Sequence, residues 1–92
     1  MKTLPRNVVA YDRTVAFTEK TIPAGLRRRH TTKAGTWGRI HIEAGRLRYR
    51  ILEPVFEETE LTPERDGVVE PEVPHEVEPI GEVRFFVEFL RE

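Results

Sequence analysis

The segment spanning residues 67–79 restricts the fold of this 92-residue chain more than any other. It reads Gly-Val-Val-Glu-Pro-Glu-Val-Pro-His-Glu-Val-Glu-Pro, and its three prolines exclude a helix because proline lacks a backbone N–H and fixes its own φ. Apolar residues and one histidine occupy one parity of a period-2 pattern, while glutamates occupy the other. The inward set is Val69, Val73, His75 and Val77. The pattern predicts bent strands that point a histidine inward among valines, as in the wall of a binding pocket.

Short alternating segments between glycine and proline turns fill much of the remaining chain. Residues 39–52 predict a hairpin that turns at Ala44-Gly45, because apolar and polar residues alternate on both sides of that pair. Residues 83–90 predict a last strand that is buried on nearly both faces. Together these segments predict an all-β sandwich or small barrel. The inward residues of the second half of the hairpin are Leu47, Tyr49 and Ile51.

The composition excludes several classes of active site. The chain has no cysteine and no serine, which removes thiol nucleophiles, disulfides, Cys-ligated metal centres and Ser-His-Asp triads. A chain of this length predicts one domain. With no signal peptide and no apolar run of membrane length, we expect a cytoplasmic protein. Glutamate and arginine dominate the charged residues and glutamine is absent, a bias typical of thermophiles.

Charge is distributed unevenly along the chain. Residues 1–52 contain 12 Lys and Arg against 3 Asp and Glu, whereas residues 53–92 contain 3 against 13, and the whole chain carries −1. One interpretation is a basic half that binds nucleic acid. The other is that basic strands lie beside acidic strands in an antiparallel sheet. We favour the second, because paired basic residues leave no excess charge for phosphates.

The three histidines have different predicted positions. His41 is predicted to lie outside, because the isoleucines on either side of it take the inward parity. His75 is either a metal ligand or a core histidine bonded to a carbonyl, and His30 has the same alternatives. A catalytic metal needs a third ligand. Glu88 is our candidate, since an acidic residue in an apolar strand must find a partner or point to water.

Two glycine-punctuated blocks, residues 30–45 and residues 67–75, resemble the two-motif layout of the cupins. The segments Thr-Lys-Ala-Gly-Thr-Trp-Gly at 32–38 and Glu-Pro-Glu-Val-Pro-His at 70–75 resemble a narrower group. This is the small cupin family found ahead of the methyltransferase in TehB-type tellurite-resistance proteins and also as free-standing chains. Gly38 stands about where the general cupin pattern has a glutamate, and no methyltransferase motif is present.

The resemblance implies an all-β, cupin-like double-stranded β-helix, or jelly-roll barrel, forming a single domain over residues 1–92. It implies a divalent metal (zinc, nickel, iron or manganese) held in the barrel cavity by His30 and His75, with Glu88 as the candidate third ligand from the strand pattern. A small polar or anionic molecule is expected to bind there, linked to tellurite or oxyanion stress resistance. The predicted pocket residues are Tyr49, Trp37 and Val73.

Two further functions stay open at this stage. One is a metal-free binding or oligomerisation domain with structural histidines, and the other is a metal-dependent oxygenase or isomerase. For partners we expect a small-molecule ligand and a second copy in a homodimer, with no nucleic acid and no membrane. The cupin strand order also predicts that the arginines of the second hairpin strand face Glu70 and Glu72.

Overall fold

The computed structural model describes all 92 residues and contains six β-strands and one short 3-10 helix. All the strand pairs are antiparallel, and the main sheet has the order β1-β6-β3-β4, with β2 added to β6 and β5 added to β3. The predicted all-β class is confirmed. No helix is long and apolar enough to cross a membrane. The elements are β1 Val9–Arg13, β2 Phe17–Thr18, the 3-10 helix Ala24–Arg27, β3 Trp37–Ile51, β4 Glu57–Leu61, β5 Gly67–Val69 and β6 His75–Arg91.

The two longest strands, β3 and β6, pair along their whole length, from Trp37 opposite Leu90 to Ile51 opposite His75. The predicted hairpin at residues 39–52 is therefore wrong. Gly45 has a φ of 81° and lies between two register shifts, so it belongs to a bulged region inside one continuous strand. A glycine with positive φ serves a turn and a bulge equally well.

The core lies on the inner face of the bent sheet, where β3 and β6 contribute alternate residues. Five large side chains are fully buried there, and they come from β3, β4 and β6. Of the predicted inward set, Val69, His75 and Val77 are buried, whereas Val73 lies in the connection between β5 and β6 and is only half-buried. The largest buried side chains are Tyr49, Phe85, Ile40, Leu47 and Leu61.

A network of ion pairs covers the outer face of β3. The strand lies between acidic β4 and acidic β6, so its arginines have glutamates on both sides. Arg48 Nη1 lies 2.7 Å from Glu78 Oε1, and Arg50 lies within 3.2 Å of three glutamates, among them Glu78. The prediction that these arginines face Glu70 and Glu72 is wrong. Glu70 instead binds Lys2 at 2.8 Å, because β5 pairs with the other half of β3.

Replacing Glu78 tests this network. The hydrogen bond from Arg48 and the charge of Arg50 hold the pKa of Glu78 below its ordinary value of 4.5. A carboxylate whose pKa is lowered by folding stabilises the folded state at pH values above its ordinary pKa. This stabilisation is lost as the pH falls through the lowered pKa. We expect Glu78→Gln to have a lower melting temperature than the wild type at pH 7, as followed by circular dichroism. In strong acid the two melting temperatures are expected to be equal. Glu64→Gln is the control, because Glu64 has no ion pair; an equal effect of both changes would contradict the network.

Candidate functional site

His30 and His75 meet at the start of β6. The segment between the 3-10 helix and β3 runs antiparallel to β6 at this point, and the two histidines exchange both backbone hydrogen bonds. The N–H of His30 donates to the carbonyl of His75 at 2.7 Å, and the reverse bond is 2.9 Å long. This bridge brings His30 Nδ1 to 3.4 Å from His75 Nε2. The two histidines predicted from the sequence motifs therefore lie side by side.

The orientation of the His75 ring is fixed by its surroundings. Its Nδ1 atom lies 3.1 Å from the carbonyl oxygen of Val73, so an Nδ1–H group donates there and Nε2 keeps its lone pair. The Tyr49 ring packs edge-on against the imidazole, with ring centres 6.0 Å apart. Burial raises the pKa of Tyr49, and its hydroxyl group donates to the carbonyl of Val68 at 2.9 Å. Tyr49 is thus a fixed neighbour of the histidine pair.

Burial also affects the charge of His75. The His75 side chain is buried, and this desolvation lowers its pKa below the ordinary value of 6.5. The neighbouring His30 lowers the pKa further, while the hydrogen bond to Val73 opposes the change. His75 is therefore neutral at pH 7. Neutral imidazole is the form that binds metal ions.

A cavity of about 40 Å³ lies next to the histidine pair. Its floor is the inner face of the sheet, and its rim includes Thr14 after β1, Leu26 on the 3-10 helix and Thr32. Gly38 lines it without a side chain. The remaining lining is apolar and comes from the three strands β3, β5 and β6, through Ile40, Val69, Val77, Phe85, Val87 and Phe89.

Glu88 lies on the other face of the sheet from the histidine pair. It is thirteen residues from His75 along β6, an odd spacing that reverses the side of the strand. Its Oε1 atom lies 3.0 Å from Nε2 of His41, which in turn stacks on Phe86 with ring centres 4.7 Å apart. His41 lies on the outer face, as its parity predicts, and Asp66 lies 3.7 Å from its other nitrogen. The structure does not bring Glu88 to His30 and His75.

The three predicted pocket residues do not line the 40 Å³ cavity. Tyr49 and Val73 line a separate groove of about 300 Å³, together with the first two residues of the chain. Trp37 begins β3 opposite Leu90. Sequence reasoning missed Thr14 and Leu26, which lie in connections whose direction no periodic pattern determines.

The side chains around the cavity supply two nitrogen ligands for a metal ion and no more. The structure contains no group of three or more His, Asp or Glu side chains that could hold a metal ion. Two nitrogens bound at 2.0–2.1 Å to a tetrahedral metal lie about 3.3 Å apart. The observed separation between His30 and His75 is 3.4 Å. Any further ligands of such a metal have to come from outside the chain.

The sequence of this chain is similar to a known family of domains and to longer proteins that contain such a domain. Residues 12–87 match the family of TehB-like domains. A Haemophilus influenzae protein (strain ATCC 51907, KW20, Rd), named probable S-adenosyl-L-methionine-dependent methyltransferase TehB, is 30% identical over 83 residues. That match covers 86% of this chain and 29% of the relative, so the chain corresponds to less than a third of that protein. The TehB of strain 10810 is 29% identical over the same length.

Two crystal structures share the fold. Haemophilus influenzae TehB superposes with a TM-score of 0.87 and 27% identity, over 95% of this chain and 32% of that one. A protein from Escherichia coli strain K12 superposes with a TM-score of 0.85 over 98% of this chain and 96% of its own. At 22% identity the second likeness concerns the fold alone.

Proposed function

This chain belongs to the family of TehB-like domains, and we propose that it binds a divalent transition metal through His30 and His75, with a small molecule from solution completing the coordination. The observation that carries the proposal is the 3.4 Å separation of two imidazole nitrogens beside a cavity. Imidazole suits zinc, iron and nickel. When bound, the metal supplies Lewis-acid polarisation of a coordinated atom.

The residues around the pair have distinct roles in this proposal. The Val73 carbonyl holds the Nδ1 proton of His75, which leaves Nε2 free to bind. The paired backbone bonds to β6 keep His30 at a fixed distance. The fold proposal is a cupin-like jelly roll, supported by two long bent strands that carry short strands at both ends and enclose a cavity.

The methyltransferase activity named for TehB is not proposed for this chain. The match covers 29% of that protein, and all the paired strands here are antiparallel, whereas nucleotide-binding βαβ units need parallel strands. A part in tellurite or oxyanion resistance is supported by family membership alone. We propose it as an accessory role of a ligand-binding domain.

A second candidate function is a metal-free binding domain that acts as a homodimer. The same 3.4 Å separation fits a long hydrogen bond between the two imidazoles, with one ring donating to the other. In that case the histidines hold the 3-10 helix segment against β6. The charged outer strands then offer the surface for a second copy.

Metal analysis of untagged protein separates these candidates. We expect close to one metal ion per chain, and loss of that metal in His30→Ala and in His75→Ala, since each removes one of two ligands. His41→Ala is the matched control, because His41 lies on the opposite face of the sheet and its loss leaves the pair intact. Added zinc, nickel, iron or manganese at a hundred times its Kd is expected to stabilise the fold by about 2.7 kcal/mol.

His30→Ala is the more informative of the two variants. His30 is only partly buried, so its removal disturbs the core less than the removal of buried His75. A folded His30→Ala protein that retains full metal content would contradict the proposed site. Wild-type protein that carries no metal, and whose melting temperature is unchanged by added metal ions, would favour the metal-free candidate.

A further inference from the structure

We propose that the cavity beside the histidine pair takes a neutral, apolar diatomic molecule, of which dioxygen is one example. This inference rests on the proposed function in one respect, since it names the chemical class of the molecule that completes the metal site. The cavity itself is formed by side chains of this chain whether or not a metal is bound. Three properties of the cavity carry the inference: its small size, the lack of free hydroxyl donors around it and the lack of charged side chains in its lining.

The size of the cavity limits its guest to a few atoms. A cavity volume of roughly 10–15 Å³ is needed for each water molecule. The volume of about 40 Å³ therefore has room for about three water-sized groups. An organic acid, a sugar or a nucleotide requires several times this space. A diatomic molecule fits without movement of the sheet.

The polar side chains at the rim are already hydrogen-bonded to the protein. The Thr14 hydroxyl donates to the carbonyl of Val15 at 2.7 Å and accepts the N–H of Val87 at 3.0 Å. The Thr32 hydroxyl donates to the carbonyl of Thr36 at 2.8 Å. The Nδ1 proton of His75 is used by Val73. No hydroxyl or Nδ1 donor is left for an oxyanion.

The lack of charged side chains around the cavity also favours a neutral guest. The chain has 15 lysines and arginines, but none of them lines the cavity. In the metal-free protein, an anion placed among these apolar side chains loses its hydration without a compensating partner, at a cost of several kcal/mol. A neutral apolar guest loses little hydration and gains contacts.

Dissolved gas provides a direct test on metal-free, full-length protein. Xenon is a neutral apolar probe that occupies dry protein cavities, and dioxygen is a paramagnetic diatomic that speeds the relaxation of nearby protons. We expect xenon pressure to shift the methyl NMR signals of Val69, Val77 and Val87 in a saturable way. Dioxygen is expected to relax the same methyl groups. Leu61, which is buried away from the cavity, is the internal reference.

A pair of valine substitutions makes the test specific. Val87→Ile adds one methylene to the cavity wall and is expected to lower the xenon affinity about tenfold, since one methylene in an apolar site is worth at least that factor. Val83→Ile makes the same change at a buried position outside the cavity and is expected to leave the affinity unchanged. Val77→Ile replaces the first variant if Val87→Ile does not fold.

The outcomes separate this inference from the proposed function. Absence of saturable shifts with xenon and dioxygen overturns the inference, and so do equal effects of the two valine variants. Saturable shifts of the same methyl groups with sulfate in metal-free protein also overturn it, because the cavity then accepts an anion. Gas binding in a protein that binds no metal overturns the metal proposal and leaves the cavity assignment in place.

Discussion

Gly45→Ala is expected to destabilise the domain by about 3 kcal/mol or more, measured as the free energy of unfolding in urea. Gly45 has a φ of 81°, a region that costs an L-residue about 1–2 kcal/mol. A Cβ atom at this position would also overlap the carbonyl oxygen of Glu82 and lie 2.9 Å from the Cα atom of Val83. Both are backbone atoms of β6, so relief requires the β3–β6 ladder to shift.

Two other glycines isolate the contribution of that overlap. Gly81 has a φ of 67° and open space around the position that a Cβ atom would take. Gly81→Ala is therefore expected to lower the free energy of unfolding only by the roughly 1–2 kcal/mol that a positive φ costs an L-residue. Gly25 has neither a positive φ nor a close neighbour, and Gly25→Ala is expected to change stability by less than about 0.5 kcal/mol. Equal costs for the changes at Gly45 and Gly81 would mean that the bulge relaxes freely.

The same glycine shows where the sequence-based prediction fails. Alternation of apolar and charged residues correctly assigns the inward side chains on both sides of Gly45. It does not reveal whether the chain reverses or continues there, since a turn and a bulge both favour a glycine with positive φ. The partner strand makes the difference. Residues 75–91 are long enough to pair with all of β3, and this match in length between strands far apart in the sequence has no local signal.

The same limit applies to the candidate site: local sequence patterns predict some of its features, whereas others depend on contacts between residues far apart in the sequence. The inward position of His75 follows from its parity with Val69 and Val77. Glu88, predicted as the third ligand, instead contacts His41 on the outer face, because its spacing of thirteen residues from His75 places it on the other side of β6. The pairing of His30 with His75 does not follow from any local pattern. It depends on a backbone bridge between residues 45 positions apart, which only the resemblance to a family with two histidine motifs anticipates.

Removing the Phe85 ring is the second change for which we expect a large effect. Phe85 is completely buried, its ring meets that of Phe17 edge-on at 5.6 Å, and it lines the cavity. Phe85→Ala is expected to cost about 3–5 kcal/mol, because the lost contacts and the enlarged void both count against the folded state. For a domain of this size each kcal/mol lowers the melting temperature by about 4–8 °C. Thermal unfolding followed by circular dichroism should therefore shift by more than about 12 °C.

Phe86→Ala is the matched control on the opposite face of β6. The Phe86 ring is half-buried and stacks on His41, with the Arg13 guanidinium 5.0 Å from its centre, so its loss is expected to cost about 1–2 kcal/mol. Equal costs at the two positions would contradict the assignment of one core to the inner face. A folded Phe85→Ala protein should also bind xenon at least as tightly as the wild type, since the substitution enlarges the cavity and keeps its wall apolar. Stability and gas affinity should thus change in opposite directions at Phe85, whereas Phe86→Ala should lower stability less and leave the gas affinity unchanged.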